Sequence, residues 1–255
     1  MQNSILKRLY FSPVKSLSFS ETDSLLINKN IGIKNDRIFA FTRIINESKS
    51  KEYEEDPLKR NLNFFLTLKN SPFLNKYNFE LKENELTFLL GDNIIKKISL
   101  NKKENLKLIT NELKKCEPGI NYIPYLIKNI NFPFFDTMPQ NSISLINLNS
   151  IKDFENQINF KIEHERFRAN IYIDKIDPWA EFSCVNKIIT INNCIFKILK
   201  KIPRCSATNL RLNSDKVDIN LPKKLREIYG HIDMGIYLKP LNNGIININD
   251  KVTLS

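Results

Sequence analysis

Short strand-like stretches, recurring about every 8–12 residues and separated by polar turns, restrict the first half of this chain to a barrel or sandwich of many short strands. The apolar patterning predicts strands over residues 5–11, 24–28, 37–45, 63–68, 79–82, 85–90 and 94–99. The first ends at Ser12-Pro13, a turn falls at Gly32, and a hairpin closes about Glu83-Asn84. Residues 46–59 (NESKSKEYEEDPLK) are polar and charged and are expected as an exposed loop.

The pattern changes near Glu104. Residues 106–114 have helical spacing and end around 116–119, which marks a candidate junction between domains at 1–115 and 116–255. Residues 121–135 are apolar and irregular. A strand is expected over 142–148, and Asn149-Ser150 is the expected cap of a short helix over 151–157. Further strands are expected over 168–173, 187–191, 194–199, 235–238 and 245–254, with a hairpin about Asn192-Asn193 and a helix over 221–228. The expected class is therefore mainly β, a β-barrel or sandwich with a few helices (α+β). No internal repeat is visible.

Composition removes several classes. A chain of 255 residues makes one large or two small domains, and 42% hydrophobic with 26% charged residues is globular. No apolar run is long enough to span a membrane. The N-terminus has neither a signal-peptide apolar region nor a transit-peptide pattern, so a cytoplasmic protein is expected. No CxxC accompanies the four cysteines and two histidines, which argues against a structural zinc site. No GxGxxG or GxxxxGK[ST] occurs. The net charge of +11 comes with lysines scattered through an Asn-, Lys- and Ile-rich chain. It fits steering of a small anion or an acidic partner better than a nucleic-acid patch.

Five segments hold polar residues where turns leave strands: Pro13-Val14-Lys15-Ser16, Asn35-Asp36-Arg37, Asp136-Thr137, Arg168-Ala169-Asn170 and Arg204-Cys205. Each has a plain structural reading, as a solvated turn, an ion pair, a helix start or packing. Cys205 differs from the other cysteines in its arginine neighbour, Arg204, and its loop setting. Cys194 falls within an apolar hairpin strand and reads as core, while Cys116 and Cys184 have no partner pattern. His231 reads as a hydrogen-bonding turn residue and Trp179 as packing for its loop.

The order of motifs is more specific than any one of them. Arg166-Phe-Arg168-Ala-Asn170, Asp177-Pro-Trp179-Ala-Glu181, Pro203-Arg204-Cys205-Ser-Ala-Thr208-Asn209 and Gly230-His231-Ile-Asp233-Met-Gly235 follow one another, and Ser12-Pro13-Val14-Lys15-Ser16 and Gly32…Asp36-Arg37 precede them. This succession resembles the MOSC domain, the C-terminal domain of molybdenum-cofactor sulfurases and the core of the amidoxime-reducing component enzymes. The early motifs resemble the β-barrel-like domain that precedes MOSC.

The resemblance implies a molybdenum cofactor (Mo-pyranopterin) in a cleft lined by both domains. It implies Cys205 as the metal ligand and as a catalytic residue with Asp136, which matches an acidic residue near the metal. It implies Lys15, Ser16, Arg37, Thr137, Arg168, Asn170, Arg204 and Thr208 as cofactor-binding residues. A phosphate-bearing pterin suits arginine and lysine donors, and a thiolate is a soft metal ligand. The implied activity is reduction of N-hydroxylated small molecules. No flavin, haem or iron–sulfur motif is present, so electrons are expected from a separate ferredoxin, flavoprotein or cytochrome b5-type donor. The alternative is a carrier of molybdenum cofactor or sulfur, with a persulfide on Cys205. Pyridoxal phosphate is attached to the family through the larger sulfurases. Here no aminotransferase-like stretch occurs, and no lysine has a setting for a Schiff base. The chain departs from the family pattern at Ala169, often proline there, and at 210–216, which lacks glycine.

Overall fold

The computed structural model describes residues 3–17, 19–135 and 142–254. Its first half runs β1 (Asn3–Phe11), β2 (Ser20–Thr22), β3 (Ser24–Asn28), β4 (Gly32–Ile33), β5 (Phe39–Phe41), α1 (Glu47–Glu55), β6 (Tyr77–Lys82), β7 (Glu85–Leu90), β8 (Asn93–Ser99), α2 (Leu106–Cys116) and β9 (Leu126–Lys128). The second half runs β10 (Ile143–Asn147), α3 (Leu148–Ile158), β11 (Ile171–Asp174), β12 (Ile188–Ile191), β13 (Cys194–Pro203), α4 (Leu221–Tyr229), β14 (Asp233–Pro240), β15 (Gly244–Asn247) and β16 (Lys251–Leu254).

Seven strands close a barrel in the order β11-β10-β14-β13-β12-β16-β1, with β1 returning to β11 and β2 appended to β1. All these pairings are antiparallel except β10–β11. A parallel pair needs a crossover, and α3 supplies it. The barrel therefore draws strands from both sides of residue 115, because the N-terminal strand completes it. Branched and aromatic side chains fill the interior, among them Leu6, Leu9, Leu145, Ile171, Phe196 and Leu238. Gly235, at φ +80°, lets β14 approach β10 closely; a Cβ there would strike the Leu145 carbonyl and the Ile146 side chain. A bulge in β1 between Leu6 and Arg8 puts one extra residue opposite β11. Leu6 and Leu9 pack into the barrel, whereas Tyr10 joins the layer beneath α3 and α4.

The first half carries its own core. The three-stranded sheet β6-β7-β8 packs with α2 around Phe79, Phe88, Ile109 and Leu113. Val14, Leu17 and Leu210 join that cluster, so the 12–17 loop and the segment after Cys205 tie this core to the barrel. Among the described residues no helix is long and apolar enough to cross a membrane.

Five expectations change, the first being that 245–254 is not one strand but β15, paired with β3, and β16, in the barrel. Residues 37–45 do not form one strand, because Arg37 and Ile44 take positive φ values of 54° and 60° and leave only β5 between them. Residues 46–59 are not a loop. The Asn46 side chain accepts from Lys49 N and starts α1, whose Ser50, Tyr53 and Glu54 are buried, so a single aromatic anchors a helix of polar appearance. Residues 63–68 give a 3-10 turn (Leu62–Phe64) and one bridge, Thr42 to Phe65, in place of a strand. The helix after β10 begins earlier than expected, capped by Asn147 instead of Asn149-Ser150.

Candidate functional site

A cleft of about 250 Å³ opens where the barrel end meets the first-half core. Ser16, Phe19, Tyr77, Glu165, Arg168 and Ala207 are among the residues that line it. Three short segments shape it. The 12–17 loop leaves β1, bridges β5 through Val14 and Phe39, and places Ser16 at φ 61°. Its Ser12 hydroxyl lies within hydrogen-bond distance of the Val14 (2.9 Å) and Leu17 carbonyls, which draws the loop together. The 3-10 turn His164–Phe167 ends at Arg168, which takes a left-handed conformation (φ 53°). The Arg168 guanidinium donates to the Leu17 carbonyl at 2.9 Å and lies 5.4 Å from the Phe19 ring centroid. The third segment is the 3-10 turn Ser206–Asn209, headed by Cys205.

Cys205 is exposed, whereas Cys184 and Cys194 are buried and Cys116 is half-buried. Burial pushes the Cys116 and Cys194 thiols up. Thr208 turns inward and donates its hydroxyl to the Cys205 carbonyl at 2.9 Å, which fixes the turn below the thiol. Arg204 points into the protein. Its Nε donates to the Met234 carbonyl at 2.9 Å, Nη1 to the Phe167 carbonyl at 2.8 Å, and Nη2 also to Met234. Burial lowers the Arg204 pKa from its ordinary value.

Lys15 and Arg37 lie toward a second edge. Lys15 is 2% exposed, and its Nζ lies 3.4 Å from the Phe134 carbonyl. Arg37 pairs with Asp36 and lies 5.8 Å from the Phe135 ring centroid. Both therefore converge on the segment that leads into 136–141. Asp136 and Thr137 lie outside the described residues. Asn170 is buried: its Nδ2 donates to the Tyr10 carbonyl (3.2 Å) and Asp36 Oδ2 (3.3 Å), and its Oδ1 accepts from Ser144 Oγ (2.9 Å).

The cleft thus brings Ser16 and Arg168 together beside the Cys205 turn. Lys15 and Arg37 sit at the neighbouring edge, and Asn170, Arg204 and Thr208 bond within the scaffold. The sequence reading passed over Asp36, Tyr10, Phe19 and Glu165. Asp36 accepts from Ser12 N (2.7 Å), Asn170 and Arg37, and so joins three of the motif segments through one buried carboxylate. Its sequence signal was its place in Asn35-Asp36-Arg37 and Gly32…Asp36-Arg37, where Arg37 was singled out and Asp36 was given no role. Arg166 is also structural, bidentate on Asp218 (2.5 and 2.7 Å) and bonded to Glu163. It holds the Asp218 carboxyl below its ordinary pKa. His231 Nδ1 accepts from Asp233 N at 3.1 Å, and Trp179 packs on Tyr229 while donating to Asp153.

The MOSC domain family model matches residues 135–253, and that part of the chain is a MOSC domain. MOSC domains are associated with binding of molybdenum cofactor. Two solved structures are similar at low identity. The YuaD protein from Bacillus subtilis is 11% identical, with 98% of this chain and 94% of that chain covered and a TM-score of 0.43. YiiM from Geobacillus stearothermophilus is 16% identical, with 44% and 53% covered and a TM-score of 0.35. No curated protein sequence matches the chain significantly.

Proposed function

We propose that this MOSC protein holds a molybdenum pyranopterin and reduces N-hydroxylated small molecules with electrons from a separate donor protein. The observation that carries this reading is the exposed thiol of Cys205, at the head of a turn that lines one cleft with Arg168 and Ser16. The donor set fits the group. Cys205 offers a soft sulfur ligand, and Arg168, Lys15 and Arg37 offer cations for a phosphate. When bound, the group supplies a two-electron redox centre.

Around it the chain's own residues have separate tasks. Cys205 would hold the metal through its sulfur, and Arg168 and Ser16 would bind the group from the cleft wall. Lys15, held with little exposure to water, would offer positive charge to an anion at the edge it shares with Arg37. Asn170, Arg204 and Thr208 act as the frame that keeps these groups in place. The resemblance to the family adds Asp136 as a second catalytic residue and Thr137 as a further cofactor-binding one. The +11 charge favours an acidic donor such as a ferredoxin, flavoprotein or cytochrome b5-type protein.

The exposure of Cys205 also supports a second reading, a carrier that passes on cofactor or a persulfide sulfur. One experiment separates the two. Cofactor-loaded protein with a chemical reductant is expected to reduce an amidoxime over many turnovers, and Cys205→Ser to abolish turnover. Loaded protein that transfers its cofactor or sulfur to an acceptor without reducing the amidoxime contradicts the reductase reading.

A further inference from the structure

One chain of titratable groups meets the cleft outside the set assigned above. Tyr10 and Glu165 both line the cleft. The Tyr10 hydroxyl lies 3.0 Å from His164 Nε2, and His164 Nδ1 lies 3.4 Å from Glu165 Oε2. The imidazole is held in place. Tyr172 donates to the His164 carbonyl at 2.7 Å, and its ring meets the imidazole edge-on at 4.8 Å. Tyr10 is fixed by stacking on Phe19, with centroids 4.9 Å apart. The β1 bulge between Leu6 and Arg8 precedes Tyr10, whose ring packs beneath the helices and not in the barrel interior. The other charged groups facing this chain are Arg8 and Glu21, themselves paired at 2.8 Å.

We propose that Tyr10 delivers a proton to the substrate in the cleft, and that His164, oriented by Glu165, replaces it; this rests on the reductase reading. The overall change is R–NH–OH plus two electrons and two protons to R–NH2 plus water. The N–O bond breaks, the donor protein supplies both electrons, and solvent supplies one proton. The other comes from Tyr10: its O–H bond breaks as an O–H bond forms on the departing oxygen. In the same step the Nε2 proton of the His164 imidazolium passes to the phenolic oxygen. His164 is left neutral, with its Nδ1–H toward Glu165, and solvent recharges it.

The environment suits this order. Tyr10 is pushed up to about 12, first by burial, so the phenol keeps its proton until the leaving oxygen demands it. Burial lowers the His164 pKa while Glu165 acts to raise it. The imidazolium donor therefore thins out as pH rises, and turnover should fall along that limb. Tyr10 is the catalytic residue in this scheme; His164 and Glu165 are positioning and relay groups.

The test has two readouts. In metal-free protein, imidazole NMR follows both histidines, with His231→Gln to assign them. Glu165→Gln is expected to move the His164 midpoint to lower pH, and Tyr10→Phe to shift the Nε2 resonance. In cofactor-loaded protein, Tyr10→Phe is expected to lower kcat about 10- to 100-fold at nearly constant KM. Glu165→Gln should move the falling limb to lower pH, and His164→Gln should flatten it. An unmoved His164 midpoint in Glu165→Gln, or an unchanged kcat and pH limb in Tyr10→Phe, overturns the relay. Loaded wild-type protein without turnover overturns the reductase reading and the relay with it. Wild-type turnover with an indifferent Tyr10→Phe overturns the relay alone.

Discussion

On the barrel side of the cleft, Asn170 and Arg204 direct their polar atoms at neighbouring main chain and side chains, bonding to the Tyr10, Phe167 and Met234 carbonyls and to Ser144. On the loop side, Cys205 stands exposed, and Arg168 and Ser16 reach the cleft from left-handed backbone positions. Residues of both kinds occur within the same short motifs: Arg168 and Asn170 are two apart, and Arg204 and Cys205 are adjacent. Each of these motifs therefore combines a residue bonded within the scaffold with one that faces the cleft or solvent, and only the fold separates them.

The largest losses of stability are expected from the frame. Arg204→Met leaves the Phe167 and Met234 carbonyls without their buried donor and should cost about 3 kcal/mol in urea unfolding. A cost below about 1 kcal/mol would mean that Arg204 is not part of the frame. Asn170→Ala should cost about 2 kcal/mol by the same measurement, since it opens the joint between β10, β1 and Asp36.

A third prediction concerns Glu181, which is fully buried and accepts from Ser150 and Asn147. Burial raises its pKa, so the folded protein keeps this proton to higher pH than the unfolded chain does. Its contribution to stability is thus greatest at acid pH. It declines as pH rises from the unfolded carboxyl range toward the folded pKa, then levels. Glu181→Gln should remove that decline, with the gap between variant and wild type widening as pH rises. Parallel stability curves for the two proteins would contradict the assignment.

The loop side should behave in the opposite way. Cys205→Ser should change unfolding free energy by less than about 0.5 kcal/mol, because an exposed side chain carries little packing energy. The smallest effect is chemical: limited alkylation of the native protein near neutral pH should modify Cys205 and spare Cys184 and Cys194. Equal labelling of all three would place the thiol elsewhere.

The barrel was legible because alternating strands such as β3 and β12 write their buried face directly into the sequence. Helix α1 was hidden because its buried face is Ser50, Tyr53 and Glu54, a combination that reads as surface. The strand expected over 37–45 failed at Arg37 and Ile44, whose positive φ values no residue type there announces. For the candidate site, motif order singled out Ser16, Arg168 and Cys205, which the fold places at or beside one cleft. It did not reveal that Arg204 turns inward, because a guanidinium bound to carbonyls and one facing a ligand look alike in sequence. Asp36 was hidden for a related reason: a carboxylate beside an arginine reads as a surface pair until Ser12 and Asn170 are seen to bond to it.

The most direct test of the central claim is the molybdenum and pterin content of wild-type and Cys205→Ser protein, purified anaerobically from a host that makes the cofactor. Near-equimolar molybdenum and pterin in the wild type, with the metal lost from an equally stable Cys205→Ser variant, is the predicted result. Folded wild-type protein without either component, or a variant that retains full metal, would contradict it.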